Sequence, residues 1–218
     1  MDKQSNTNLV RLRTFSLDCR LRYGEPVGKI PLDCGISCPN RQRGGCVFCG
    51  PSSFTPRYLN STDSLAEQVR AGKQKLLRGR FRLYYAYYQQ ETCTAGPEDL
   101  LLQGFAERLA DVDCCGLIIS TRPDYLPDSL LEKLARLITR SGKQCQIELG
   151  LQSVHEKSLI RLNRNHNFND FHDALLRIRK AGSFQLGAHL ILGIPGESEE
   201  EMLVSVDRVC GLGIDTIK

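Results

Sequence analysis

The stretch CPNRQRGGCVFCG at positions 38–50, with Cys34 four residues upstream, gathers four thiols within sixteen positions. Thiols at such spacing close disulfides, hold a zinc ion or mount an iron–sulfur cluster. The amino terminus, MDKQSNTNLVRLRTF, lacks the apolar stretch of a secretory signal. No apolar run nears the roughly 20 residues that a bilayer crossing needs. The expectation is therefore a cytoplasmic protein with no membrane partner, whose ten cysteines stay reduced. Disulfides then explain little, and the choice narrows to metal chemistry or plain burial.

Cys34-x3-Cys38 and Cys46-x2-Cys49 resemble the two close pairs of a structural zinc site. Against this, Cys34 falls at the end of a short strand, where successive side chains point to opposite faces. That leaves Cys38, Cys46 and Cys49 as the well-placed thiols. Three thiolates on a cluster of four irons leave one iron open to a further ligand, whereas four cysteines around zinc leave nothing open. Gly44 and Gly45 are expected to let backbone amides approach the cluster, Arg41 and Arg43 to add positive field, and Phe48 to shield it. A zinc-stabilised RNA-binding module, using arginines such as Arg11, Arg13, Arg20, Arg22, Arg78, Arg80 and Arg82, is the competing reading.

These residues need a scaffold, and 218 residues with 41% hydrophobic and 25% charged side chains suit one soluble domain. The formal charge of +4 is too mild to mark a nucleic-acid binder by itself. The patterning predicts helices over 9–23, 62–78, 100–110, 127–142, 167–182 and 198–213. It predicts strands over 29–33, 81–89, 116–120, 144–151 and 185–194, with 214–218 opening another. The strands look apolar on both faces, as in a covered parallel sheet. The repeated β-α unit gives an α/β fold, either a barrel or an open doubly wound sheet, with its chemistry at the carboxyl ends of the strands. Lys218 falls inside what reads as a strand, so a core truncated at its carboxyl end is expected, and an inactive fragment is a further possibility to test.

The segment KIPLDCGISCPNRQRGGCVFCG resembles the radical S-adenosylmethionine (radical SAM) enzymes, specifically the YhcC-like branch of iron–sulfur oxidoreductases. That branch is related to the elongator catalytic-subunit-like and coproporphyrinogen-dehydrogenase-like enzymes. The resemblance continues through AYYQQETCT (86–94), STRPDYLPDSLL (120–131), IELGLQSVHEKSLIRLNRNH (147–166) and HLILGIPGES (189–198). It implies a partial (β/α) barrel over 29–218 behind a helical extension at 1–28. It also implies a [4Fe–4S] cluster on Cys38, Cys46 and Cys49, with Cys34 excluded, and S-adenosylmethionine on the open iron. An external donor such as flavodoxin or ferredoxin would supply the electron. The resulting 5′-deoxyadenosyl radical would take hydrogen from a substrate the sequence does not identify, a tRNA among the possibilities.

The same resemblance places cofactor contacts at Phe48, Gln89, Ser120, Gln152, Arg164, His189 and Gly193. Gln89 sits in QQET where relatives carry Gly-Gly-Glu, so that contact is expected to be largely backbone. Gln152 is matched to the ribose and Arg164 to the methionine carboxylate, pairings that suit an amide and a guanidinium fork. Ser120 stands where some relatives carry an acid. His189 lies beside the cofactor, and the turn at Gly193, Pro195, Gly196 and Glu197 approaches adenine. Glu148 is expected to need a partner if buried. Arg122 either faces the site or is secondary to capping by Asp124. Cys19, Cys93, Cys114, Cys115, Cys145 and Cys210 read as small buried hydrophobes.

Overall fold

The computed structural model describes residues 13–50, 55–60 and 62–218. Positions 9–12 of the first predicted helix, with Arg11, lie outside the described residues. Six strands run through the described chain: β1 (Val27–Leu32), β2 (Leu83–Tyr88), β3 (Cys114–Thr121), β4 (Gln144–Gln152), β5 (Gln185–Leu190) and β6 (Thr216–Ile217). Each pairs in parallel with the next, in chain order. A doubly wound sheet would reverse its order at a switch point. This sheet does not, so it is the wall of a barrel that the described strands leave open.

The helices are α1 (Phe15–Tyr23), α2 (Leu65–Gly72), α3 (Glu98–Ala110), α4 (Asp128–Ser141), α5 (Glu156–Arg161), α6 (Phe168–Ala181) and α7 (Glu199–Cys210). Their starts are written locally. Ser64 with Glu67, Asn167 with Asp170 and Ser198 with Glu201 each form a reciprocal capping box that satisfies backbone donors at the amino end. The helix predicted over 62–78 is α2, continued by a wider turn at Lys73–Leu77. The six-residue α5 carries too little periodicity to be read from sequence.

Side chains from α2, α3, α4, α6 and α7 share one apolar cluster with Ile30, Tyr84, Leu117, Ile147 and Leu149 on the convex face of the sheet. Phe105 and Phe171 are fully buried there, and each side chain of this kind contributes roughly 1.5–3 kcal/mol by leaving water. On the concave face α1 packs Phe15, Cys19 and Tyr23 against Val27, Tyr85 and Ile118.

The expectation of strands apolar on both faces holds for β2 and β3, which feed both apolar clusters, and fails for β4. Cys145, Ile147, Leu149 and Leu151 join the helix-side core. Gln146, Glu148 and Gly150 alternate with them and face the concave side. The strand predicted over 185–194 also ends earlier, at Leu190, and a turn follows.

Candidate functional site

Beyond β1 the chain enters a 3₁₀ turn at Pro39–Arg43 and closes on glycines with φ of 88° at Gly44 and 71° at Gly45. Only glycine adopts such angles without strain. The Gly44 and Gly45 amides donate to Arg41 O and Asn40 O, 3.1 and 2.9 Å away. They therefore close the loop, and the expectation that they face a cluster is corrected by those bonds. Arg41 pairs with Glu91 at 2.9 Å and reaches Cys49 Sγ at 3.8 Å, while Glu91 also accepts from the Cys38 amide. Arg43 is exposed.

The segment after α5 clasps this loop. Asn163 and Asn165 both adopt φ of 52°, the left-handed region that asparagine tolerates better than most residues. Asn163 Nδ2 donates to Gly45 O at 2.6 Å and to Arg43 O at 2.9 Å. Asn165 donates to Asn40 Oδ1 at 2.8 Å, and Asn40 in turn donates to Asn163 O at 2.8 Å and Cys46 Sγ at 3.2 Å. Arg164 Nη1 donates to Cys46 Sγ at 3.1 Å, and Thr92 Oγ1 to Cys38 Sγ at 3.1 Å. Each thiol of the triad thus has a donor aimed at sulfur.

Cys38, Cys46 and Cys49 open on one cavity of about 270 Å³ at the carboxyl ends of the strands. Phe48, Gln89, Ser120, Gln152, Arg164 and His189 line the same cavity, so the structure brings nine of the ten sequence-selected positions together. Gly193 is not among the lining residues. It is exposed at φ 85°, and its amide donates to Met202 Sδ at 3.0 Å. Cys34 turns away into the helix-side core beside Ile36, where burial pushes its thiol up to about 12. Burial also raises Cys49, an effect that the Arg41 charge opposes.

Arg164 is the structural centre of the rim. Its Nη2 donates to Gly150 O at 2.6 Å and to His166 Nε2 at 2.7 Å, and its guanidinium lies 5.8 Å from the Phe48 ring centre. His166 must be neutral to accept, and burial followed by the Arg164 charge lowers it to about 4. Arg122 Nη2 holds the Arg164 carbonyl at 2.7 Å while its fork grips Asp124 at 2.9 Å twice. Asp124 is therefore a partner of Arg122 and not a cap, for α4 starts on Pro127 with no side-chain cap.

Gln152 occupies a bulge at the end of β4 with φ of 76°, a costly angle for a residue other than glycine. A Cβ at Gly150 would stand 3.1 Å from Gln152 Nε2 and 3.2 Å from Arg164 Nη2, so that glycine keeps room for both side chains. Gln152 Oε1, Arg164 Nε and Arg122 Nη1 are buried without a hydrogen-bond partner. Orphaned buried polar atoms are rare in proteins. Here one acceptor and two donors belong to residues lining one cavity, as a ligand carrying both hydroxyl and carboxylate groups would require.

Below them Glu148 is fully buried and accepts from five groups. These are Lys218 Nζ at 2.6 Å, Ser120 Oγ at 2.8 Å, Gln146 Nε2 at 2.9 Å, His189 Nε2 at 3.0 Å and Tyr87 Oη at 3.1 Å. Burial alone would raise its pKa; the His189 hydrogen bond and the Lys218 charge outweigh this and hold it at about 2. An ionised Glu148 fixes the His189 tautomer with the proton on Nε2. Glu91, in the cavity wall, was missed as a site residue in the sequence, and Tyr87, also there, reads from the sequence mainly as a core-strand residue, one of four tyrosines that could stack on a substrate. Tyr87 lies in a run of strand aromatics. Glu91 sits two positions beyond Gln89, in a turn whose φ of 47° no pattern announces.

Among the described residues no three His, Cys, Asp or Glu side chains are gathered around a single-ion site, and no helix is long and apolar enough to cross a membrane. The cysteines outside the loop are buried as expected except Cys210, which is exposed at the end of α7.

The sequence profile of the Radical SAM superfamily matches residues 36–209. YhcC of Escherichia coli K12 is 37% identical over 208 residues, covering 94% of this chain and 66% of YhcC. YtqA of Bacillus subtilis 168 is 36% identical over 219 residues, covering 98% of this chain and 67% of YtqA. The chain thus spans about two thirds of the length of these relatives. Among solved structures, the radical SAM enzyme coproporphyrinogen III oxidase (HemN) of Escherichia coli superposes with a TM-score of 0.54 at 18% identity, over 92% of this chain and 46% of that one. With the loop, the strand-end cavity and the profile in agreement, this chain belongs to the radical SAM superfamily.

Proposed function

We propose that the chain is the core of a radical SAM enzyme in which Cys38, Cys46 and Cys49 hold one [4Fe–4S] cluster beside a bound S-adenosylmethionine. The observation that carries this reading is the meeting of three thiols with the unpaired Gln152 Oε1 and Arg164 Nε in one cavity. The chemistry supplied by such a bound pair is one-electron reductive cleavage of the sulfonium, which yields methionine and a radical able to take hydrogen from a substrate. The residues of this chain bind and orient. Arg164 presents its unpaired Nε–H to the methionine carboxylate, and Gln152 presents an amide acceptor to a ribose hydroxyl. Ser120 and His189, fixed from behind by Glu148, complete the wall with Phe48 and Gln89. The electron comes from an external donor of the flavodoxin or ferredoxin type.

The test is anaerobic reduction with S-adenosylmethionine, following release of 5′-deoxyadenosine per reduced cluster. The wild-type chain releases it. Arg164→Ala binds S-adenosylmethionine roughly 10- to 100-fold more weakly at equal cluster content, the loss expected for a charge-assisted bond. Absence of release from a chain with a verified reduced cluster overturns the activity of these residues. Unchanged affinity in Arg164→Ala overturns the carboxylate contact.

A further inference from the structure

Barrel interiors are ordinarily filled by branched apolar side chains. The concave face of this sheet is apolar where α1 covers it but also carries Lys29, Gln146 and Lys218, and it opens on a second cavity of about 510 Å³ toward the amino ends of the strands. Lys29, Tyr85, Gln146 and Lys218 form its floor, with Arg13 and Arg22 from the region of α1 on its rim. Tyr87 and Glu148 line the cofactor cavity, while Lys218, which is bonded to both, lines this one. The two spaces are thus neighbours across a partition of three side chains.

Charge in the second cavity is unbalanced. Its lining carries four cations, Arg13, Arg22, Lys29 and Lys218, against two carboxylates, Asp18 and Asp215. Both carboxylates are engaged. Asp18 pairs with Arg13 and, at 3.6 Å, with Arg22, while Asp215 accepts the Leu186 amide at 2.7 Å. Glu148, behind the floor, is saturated by its own five donors. Lys29 is the cation left over. Its ammonium lies 3.9 Å from the Phe15 ring centre and 5.5 Å from that of Tyr87, next to the Lys218 ammonium. Among the described residues it makes no ion pair; the Glu148 carboxylate acts on it through charge alone, its own ion pairs being with Lys218 and His189. Two adjacent ammonium groups over aromatic walls, near a Glu148 carboxylate that Lys218 contacts and Lys29 does not, form a receptor for an oxyanion.

We propose that this cavity is the substrate's oxyanion subsite, in which Lys29 receives a carboxylate or phosphate group while the remainder of the substrate passes Tyr87 toward the cofactor cavity. The inference rests on reading the upper cavity as the cofactor site, and it adds a substrate class to that reading. Burial, reinforced by the Lys218 charge, lowers Lys29 to about 8, a cost that an anion between the two ammonium groups would relieve.

Pyridoxal 5′-phosphate followed by borohydride, with peptide mass spectrometry at pH 8, tests this without a known substrate. Lys29, a large fraction of it unprotonated at that pH, is expected to be labelled on the order of tenfold or more faster than the exposed Lys157. Inorganic phosphate and acetate, added separately as competitors, then identify the anion class, since the better ligand slows labelling at Lys29 and not at Lys157. A rise in melting temperature with the protecting anion, present in the wild type and absent in Lys29→Met, supports the same subsite. Labelling of Lys29 no faster than Lys157, or protection by neither anion, overturns the proposal. So does an equal thermal shift in Lys29→Met. Neither readout involves the cluster. Protection that persists in cluster-free protein therefore separates this inference from the assignment of the cofactor cavity.

Discussion

Glu148→Leu lowers the melting temperature by on the order of 10 °C. The carboxylate is fully buried and satisfies Tyr87, Ser120, Gln146, His189 and Lys218 together. Removing one member of a buried charged network leaves the others unpaired and costs about 3–5 kcal/mol. For a domain of this size each kcal/mol corresponds to roughly 2–4 °C. Glu148→Gln, which keeps the shape and an acceptor oxygen, loses less. Acid denaturation gives an independent check. A carboxyl that titrates near 4.3 when unfolded and at about 2 when folded contributes stability that is complete above about pH 5. That contribution, on the order of 3 kcal/mol, is lost as the pH falls from 4.3 through 2. The stability gap between wild type and Glu148→Leu must therefore narrow as the pH falls through this window. An equal melting temperature, or a gap independent of pH, would show that the hub does not hold the concave face.

The consequence reaches function because Glu148 also fixes Ser120 and His189 in the cavity wall. Loss of the hub would let both side chains turn, so affinity for S-adenosylmethionine should fall even where the variant remains folded. A purely structural role would change stability and leave that affinity intact at temperatures well below melting.

Much of this was legible in the sequence, and for identifiable reasons. Cys34 was separable from the other thiols because a strand sends adjacent side chains to opposite faces. The structure buries it beside Ile36, away from Cys38. The β-α repeat gave the fold class, but a barrel and a doubly wound sheet share that repeat and differ only in strand order, which pairing between distant segments decides. The alternation in QCQIELGLQ (144–152) was present to be read. It was obscured because the run GLIIS (116–120) is apolar at nearly every position and suggested two covered faces. The clasp of Asn163 and Asn165 on the cysteine loop joins residues more than a hundred positions apart. The left-handed backbone of Gln152 and Glu91 is imposed by its surroundings rather than by local sequence. Cys210 misled because a thiol on an amphipathic helix reads the same on either face.

The largest functional effect belongs to the cysteine triad. The thiols of Cys38, Cys46 and Cys49 each sit on the rim of one cavity and each have a donor directed at sulfur, from Thr92, from Asn40 and Arg164, and from Arg41. On the proposed reading, loss of any one removes an iron ligand, so each of Cys38→Ala, Cys46→Ala and Cys49→Ala should retain almost no iron. Cys34→Ala should retain all of it, at a modest cost in core packing. The decisive measurement is iron, sulfide and zinc content after anaerobic reconstitution, with an electron paramagnetic resonance spectrum of the reduced protein before and after S-adenosylmethionine is added. About four irons and four sulfides per chain, abolished in the three triad variants and kept in Cys34→Ala, with a spectrum altered by S-adenosylmethionine, is the predicted result. Stoichiometric zinc retained through reconstitution, or a cluster that survives loss of a triad cysteine and ignores S-adenosylmethionine, would contradict it.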